Sequence, residues 1–306
     1  MTLADEGRNG LGIRRVSPVR QVLTIFGDYW WHVDEPMPTG ALVAALDDLG
    51  VKEAAARATL TRMTRTGLLS VERAGRRTAH RLTERAVAIV DEEAAWLDSF
   101  GVVESPWDGL WSVLAFSIPE SQRATRHLAR TRLRWLGFAP LYDGVWISPR
   151  DRASEAMAQL RELDVEDVTS MRAHLETSIE GGPQAAWDLD AVAEQYREFA
   201  DTLGAANARA SAVDAFAERT RLMLAWQAFR VLDTGMPAEL LPDGWPRMST
   251  RRAWARRYDE LGEAAEERVR ELVGAIGHGL PQLVTTRRLQ GGGLVRLFID
   301  DRNREF

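Results

Sequence analysis

At 306 residues and 34.2 kDa the chain exceeds what one core usually fills, so two or three domains are expected, and 45% hydrophobic with 27% charged residues is an ordinary globular composition. The absence of cysteine excludes disulfides, thiolate metal sites and cysteine nucleophiles, and Lys52, the sole lysine, leaves none elsewhere for a phosphate loop or a Schiff base. A formal net charge of −6 excludes a surface that is basic throughout, yet between Val51 and Leu82 eight basic residues face two acidic ones, a local balance of +6.

Ser17-Pro18 opens the first predicted helix, with Ser as N-cap and Val22, Ile25, Phe26 and Tyr29 on one face. The chain breaks at Glu35-Pro36-Met37-Pro38, and Thr39 is expected to cap a short second helix that stops at Gly50. A third helix runs from Lys52 to Thr66. Its Ala56, Leu60 and Met63 recur at spacings of four and three and should pack inward, leaving Ala54, Arg57, Ala58, Thr61, Arg62 and Arg65 outward. After Gly67 the period becomes two. Leu68–Glu72 and Thr78–Leu82 read as a hairpin around the basic tip Arg73-Ala74-Gly75-Arg76-Arg77. Thr83 then caps a helix to about Leu97, with Trp96 and Phe100 closing the unit.

A second unit follows Ser105-Pro106: a strand over 110–118, an Arg-rich helix over 120–136, a hairpin over 138–148 turning at Asp143-Gly144, a helix over 153–163 and a strand over 168–174. The order β-α-β-β-α-β suits a ferredoxin-like sandwich. From Gly181 the periods are helical, over 190–205, 208–232 and 251–276, with a Pro-rich stretch between Pro237 and Pro246. The tail from His278 fits no period and reads as loosely attached or ordered by a partner. The expected fold class is therefore α+β: an N-terminal winged helix-turn-helix (1–104), a ferredoxin-like middle domain (105–180) and a helical C-terminal domain with its tail (181–306).

Three helices, a basic helix in third position and a two-stranded wing suit double-stranded DNA. Arg can donate twice to guanine, Thr can touch a thymine methyl, small Ala54 and Ala58 permit close approach, and Arg73, Arg76 and Arg77 on the wing can meet the backbone. The blander reading is a solvated basic helix. In the Arg-rich helix, Arg123, Arg126, Arg130, Arg132 and Arg134 can meet phosphates, of DNA or of a ligand, or the acidic surface of another subunit, or can be a solvated face. The five histidines lack metal-ligand spacing, no GxSxG elbow occurs, and the GGG at 291–293 follows no dinucleotide pattern, so no metal, cofactor or enzyme activity is expected.

Four ordered blocks now carry a resemblance: SPVRQVLTIFGDY; RATLTRMTRTGLL with RAGRRTAHRLT; WSVLAFSIPESQRATRHLARTRLRWLGFAPLYDGVWISPR; and ELLPDGWP. Together they resemble the PaaX-type repressors of aromatic-acid catabolism over nearly the whole chain. The resemblance implies a winged helix, a middle domain similar to the Cas2 nucleases, a helical C-terminal domain, homodimerisation and release from operator DNA by an aryl-acyl-CoA such as phenylacetyl-CoA. Trp245 and Trp254, with Arg247, Arg251 and Arg252, are the candidates for that effector's acyl group and phosphates. The Cas2-like fold also raises an alternative, a metal-dependent nuclease using the middle domain, although the end of the first strand offers only Glu120. A partner-binding scaffold is a third reading. No run of eighteen apolar residues occurs and MTLADEGRNGLGIRR has no apolar signal core, so a cytoplasmic protein without a membrane partner is expected.

Overall fold

A computed structural model describes residues 16–75, 77–102, 106–204 and 211–289. The chain condenses into two compact units, one drawing on residues 106–198 and 228–247, the other on 16–102, 199–227 and 248–289.

In the latter unit, α1 (Pro18–Tyr29), α2 (Thr39–Asp48), α3 (Glu53–Arg65) and α4 (Glu84–Ser99) surround a three-stranded antiparallel sheet. Its strands are β1 (Met37–Pro38), β2 (Leu69–Ala74) and β3 (Arg77–Leu82), in the order β1-β3-β2. Val22, Ile25, Phe26 and Tyr29 are buried as their spacing predicts. Ser17 does stand at the N-cap of α1, but its side chain makes no capping bond. Thr39 is the first residue of α2 rather than its cap: Pro38 takes the cap position, and the Thr39 hydroxyl pairs with that of Thr78 on β3 at 2.8 Å. Thr83 caps α4 as expected, accepting from the Ala86 N–H.

The core of this unit continues into later helices. Here α8 (Ala212–Leu232) contributes Phe216, and α10 (Gly262–Gly274) presents Ala265, Val269 and Val273, a stripe at spacing four that joins α1–α4. Each buried Val side chain is worth about 1.5–3 kcal/mol relative to exposure. The helix expected over 251–276 is two helices, α9 (Arg247–Glu260) and α10, broken at Leu261. Leu261 and Gly262 are both buried, and Gly262 would bring a side chain within 3.6 Å of Thr286.

The tail is anchored as far as it is described, contrary to the loose attachment expected. Thr285 N–H donates to the Tyr29 carbonyl at 3.0 Å, Arg287 N–H to the Asp28 carbonyl at 3.3 Å, and Leu289 N–H to the Asp259 carboxylate at 2.9 Å. Val284 and Leu289 are buried. The Gly-rich end of the tail lies outside the described residues. Beneath the tail, fully buried Arg219 donates to the carbonyls of Tyr258 and Arg287, and its guanidinium lies 3.8 Å from the centre of the Tyr258 ring. Burial holds the neighbouring Asp28 carboxyl above its usual range, although Arg219 and Arg287 oppose that shift.

The other unit is built on β4 (Trp111–Phe116), α5 (Arg123–Trp135), β5 (Ala139–Tyr142), β6 (Val145–Ser148), α6 (Ala153–Arg161) and β7 (Val168–Ala173). The sheet order β5-β6-β4-β7, antiparallel throughout, is the split β-α-β arrangement expected of a ferredoxin-like sandwich. Leu114, Trp146, Ala129, Leu133, Ala156 and Leu160 are among the residues that fill the layer between sheet and helices. The opposite face is covered by Trp107, Trp187 and Leu240, which pack on Trp111, Val113 and Ile147. Helix α7 (Leu189–Leu203) begins in this unit.

Candidate nucleic-acid interface

Helix α3 is framed by two glycines that end helices. Gly50 (φ +83°) and Gly67 (φ +71°) occupy the left-handed region, and each lets the following residue reach back: Val51 N–H to the Leu46 carbonyl and Leu68 N–H to the Met63 carbonyl, both pairs forming the 6→1 bond of a Schellman stop. The first stop turns the chain from α2 into α3 within a few residues, and the second turns α3 into β2. Ala56, Thr59, Leu60 and Met63 face the core. Thr59 was not in the inward set read from the apolar period.

All six helix residues expected at the interface, Ala54, Arg57, Ala58, Thr61, Arg62 and Arg65, are exposed on one side of α3. Arg57 is held along the helix by Glu53, Nε to Oε1 2.8 Å, with both side chains more than half exposed. Such a pair contributes little to stability but orients the guanidinium. The Thr61 hydroxyl donates to the Arg57 carbonyl at 3.0 Å.

The hairpin is tighter than the sequence suggests. Arg73 and Arg77 lie within the strands, paired with Thr78 and Ala74, rather than in a five-residue tip. Both are exposed; Arg76 lies outside the described residues. Arg81 pairs across the hairpin with Glu72 at 3.0 Å. One basic residue escaped the sequence reading. Arg85, exposed on the first turn of α4, reaches the Thr66 carbonyl at 3.5 Å, beside the end of α3. Nothing in its helical period distinguishes it from a solvated arginine.

The five effector candidates fall in different units: Trp245 and Arg247 in one, Arg251, Arg252 and Trp254 in the other. Arg247 is buried and grips Asp233 with two prongs, Nε to Oδ2 and Nη2 to Oδ1, both 2.8 Å, while Tyr196 donates to the same carboxylate at 2.7 Å. Trp245 packs edge-on against Tyr196. Trp254 is buried, stacks on Trp226 and donates its indole N–H to the Leu222 carbonyl. Arg251 is buried over the Trp254 ring at 4.8 Å and donates to the Leu97 carbonyl; burial lowers its pKa to about 10. Arg252 alone of the five is exposed.

Glu120 stands in the turn before α5, exposed, with Arg123 4.0 Å away. Among the described residues no group of three or more His, Asp or Glu could hold a metal ion, and no helix is long and apolar enough to cross a membrane.

These features define a mixed α and β protein in which an exposed arginine helix sits beside a two-stranded hairpin. Three family models match in chain order: PaaX-like protein over residues 20–86, the PaaX protein central Cas2-like domain over 104–185, and the PaaX-like protein C-terminal domain over 187–271. The chain belongs to the PaaX family, and its middle domain is Cas2-like. It is 24% identical over 264 residues to the transcriptional repressor PaaX of Escherichia coli (strain K12), covering 82% of each chain. It also matches the solved structure of uncharacterized protein Rv0674 from Mycobacterium tuberculosis at a TM-score of 0.55 and 22% identity, over 83% of this chain and 96% of that one.

Proposed function

We propose that the chain is a sequence-specific, DNA-binding transcriptional regulator: a cytoplasmic homodimer that represses a catabolic operon and is released by an aryl-acyl-CoA effector. In this reading the first hundred residues act as a winged helix-turn-helix, with α3 in the major groove and the β2-β3 hairpin as the wing. The carrying observation is the exposed face of α3, where Arg57, Arg62 and Arg65 alternate with Ala54, Ala58 and Thr61. Arginine supplies the bidentate contact to guanine, and the small residues bring the helix backbone close to the base edges. The relative named a transcriptional repressor supports the same reading. Residues 105–180 and 181–306 serve as the middle and C-terminal domains.

Release requires that the effector bind the DNA-incompetent arrangement more tightly than the competent one. Arg252 is the exposed cation assigned to the effector's phosphates; Arg251 and Trp254 of its unit, and Trp245 and Arg247 of the other, are the remaining candidates for contacts to the acyl group and phosphates.

The test is a fluorescence-anisotropy titration against the DNA upstream of the protein's own gene, beside scrambled DNA, with and without phenylacetyl-CoA. Preference for the upstream DNA, lost on adding the thioester, is expected. Equal affinity for both DNAs overturns the specific reading. Plasmid incubated with magnesium or manganese should stay intact, and cleavage would restore the nuclease alternative.

A further inference from the structure

Helix α5 carries an exposed basic stripe beside a largely exposed apolar one. Arg123, His127, Arg130 and Arg134, at spacings of four, three and four, form one line along the helix, and all four are exposed. One residue further on, Ala124, Leu128, Thr131 and Trp135 repeat the same spacing, with Leu128 47% and Trp135 52% exposed. The opposite face is spent on the fold: Ala129 and Leu133 are buried, Arg126 donates to the Ile118 carbonyl at 2.8 Å, and Arg132 pairs with Glu162 at 2.8 Å.

The arginines of the basic stripe have no comparable structural work. Arg123 stands 4.0 Å from Glu120 and Arg130 stands 3.7 Å from Asp143, in each case with exposed partners whose attraction water screens. Arg134 lies over the Trp146 ring at 5.8 Å. No acidic residue occurs within α5 itself. A concentrated positive line in a chain of net charge −6 is a local feature that overall solubility does not require.

The geometry points to this face as a second polyanion site, one that takes the sugar-phosphate backbone of double-stranded DNA. From Arg123 to Arg134 the helix rises about 16 Å, the axial length of roughly five base pairs, so the stripe can meet several successive phosphates. Leu128 and Trp135 supply an apolar strip that fits the deoxyribose faces between them. Such contacts add affinity without reading sequence. The inference rests on the DNA-binding reading above and extends it to the Cas2-like domain.

The experiment compares the full-length protein with the triple variant Arg123→Gln, Arg130→Gln, Arg134→Gln and with Arg57→Ala/Arg62→Ala. Each is titrated against operator and scrambled duplexes over a range of salt concentrations, with circular dichroism and sedimentation as checks of fold and assembly. The triple variant should keep the wild-type preference for operator, lose affinity for both duplexes by the same factor, and show a log K against log salt slope shallower by about 2 to 3, from 0.9 per phosphate contact. Leu128→Ser/Trp135→Ser should weaken both duplexes equally and leave the slope unchanged. A triple variant with wild-type slope and affinity overturns the inference while leaving the reading of α3 intact. A triple variant that sediments as a smaller species also overturns it, because the stripe is then a surface between copies of the chain. A wild-type protein that binds no DNA overturns both readings.

Discussion

Arg268 of α10 holds Asp48 of α2 with two prongs, Nε to Oδ2 at 2.8 Å and Nη2 to Oδ1 at 3.2 Å. Asp48 is the last residue of its helix, where a carboxylate opposes the helix dipole, and both side chains are largely buried, 22% and 11% exposed. The guanidinium therefore answers a charge that α2 alone leaves unfavourable, at the point where α2 hands over to α3. Arg268→Ala should cost about 1–3 kcal/mol by leaving that carboxylate without its partner. Adding Asp48→Asn should recover part of the loss. Urea denaturation of the two single variants and the double variant gives the coupling energy, and a coupling near zero would show the pair to be ornamental.

The exposed face of α3 predicts a separation of binding from folding. Arg57→Ala and Arg62→Ala remove side chains from water-facing positions, so thermal midpoints should stay within a degree or two of the wild type. Operator affinity should fall by about 1–3 kcal/mol for each guanidinium that reads a base, with preference relaxed at that base. Anisotropy titrations against a panel of single-base operator variants read both effects. Unchanged operator affinity in both variants would remove α3 from the interface.

How far the sequence could be read depended on whether the decisive partner was local. Helices α1 and α3 announced themselves because their inward residues recur every three or four positions, and the Cas2-like sandwich because its strands and turn signals fall in regular order. Strand β1 was illegible, since Met37-Pro38, with a further proline before it, becomes a strand only through its register with His80 and Ala79. The break at Leu261 was hidden for a similar reason: the apolar period continues across it, and the tail that packs against Gly262 lies more than twenty residues on. Arg247 and Arg251 show the same limit in the candidate site. Residue type marks an arginine as a phosphate ligand or an internal tie with equal force, and only the fold brings Asp233 to Arg247 and the Leu97 carbonyl to Arg251. The exposed residues of α3 needed no such partner, and so their placement was readable.

His80 gives a pH dependence with a definite sign. The side chain is 6% exposed on the central strand β3, and burial holds its pKa below the ordinary 6.5. The folded state therefore resists a proton that the unfolded chain accepts. The contribution to stability is full above pH 6.5, declines as pH falls below it, and is lost once pH has passed through the lowered folded value. The buried Asp28 acts in the opposite sense, since its raised pKa favours folding when it is protonated. The clean readout is thus a difference: His80→Gln should lose less of its thermal midpoint than the wild type between pH 7.5 and pH 5. Parallel curves for the two proteins over that range would refute the assignment.

Arg247 and Arg252 offer the sharpest contrast within the proposed effector set. Arg247 and Asp233 are both about 5% exposed and satisfy one another through two bonds, with a third from Tyr196 and a fourth from Gly235 N–H at 2.9 Å. Replacing Arg247 by Met leaves a buried carboxylate without its countercharge, which should cost about 3–5 kcal/mol, and Arg247→Met/Asp233→Leu should be milder than the single change. Arg252→Gln touches none of this and should leave stability alone. If Arg252 meets the effector's phosphates, that variant should still bind operator with wild-type affinity while needing several-fold more phenylacetyl-CoA for release. Denaturation curves and thioester titrations of the DNA complex, run on the same preparations, separate the two roles. Release of Arg252→Gln at the wild-type thioester concentration would remove it from the effector site.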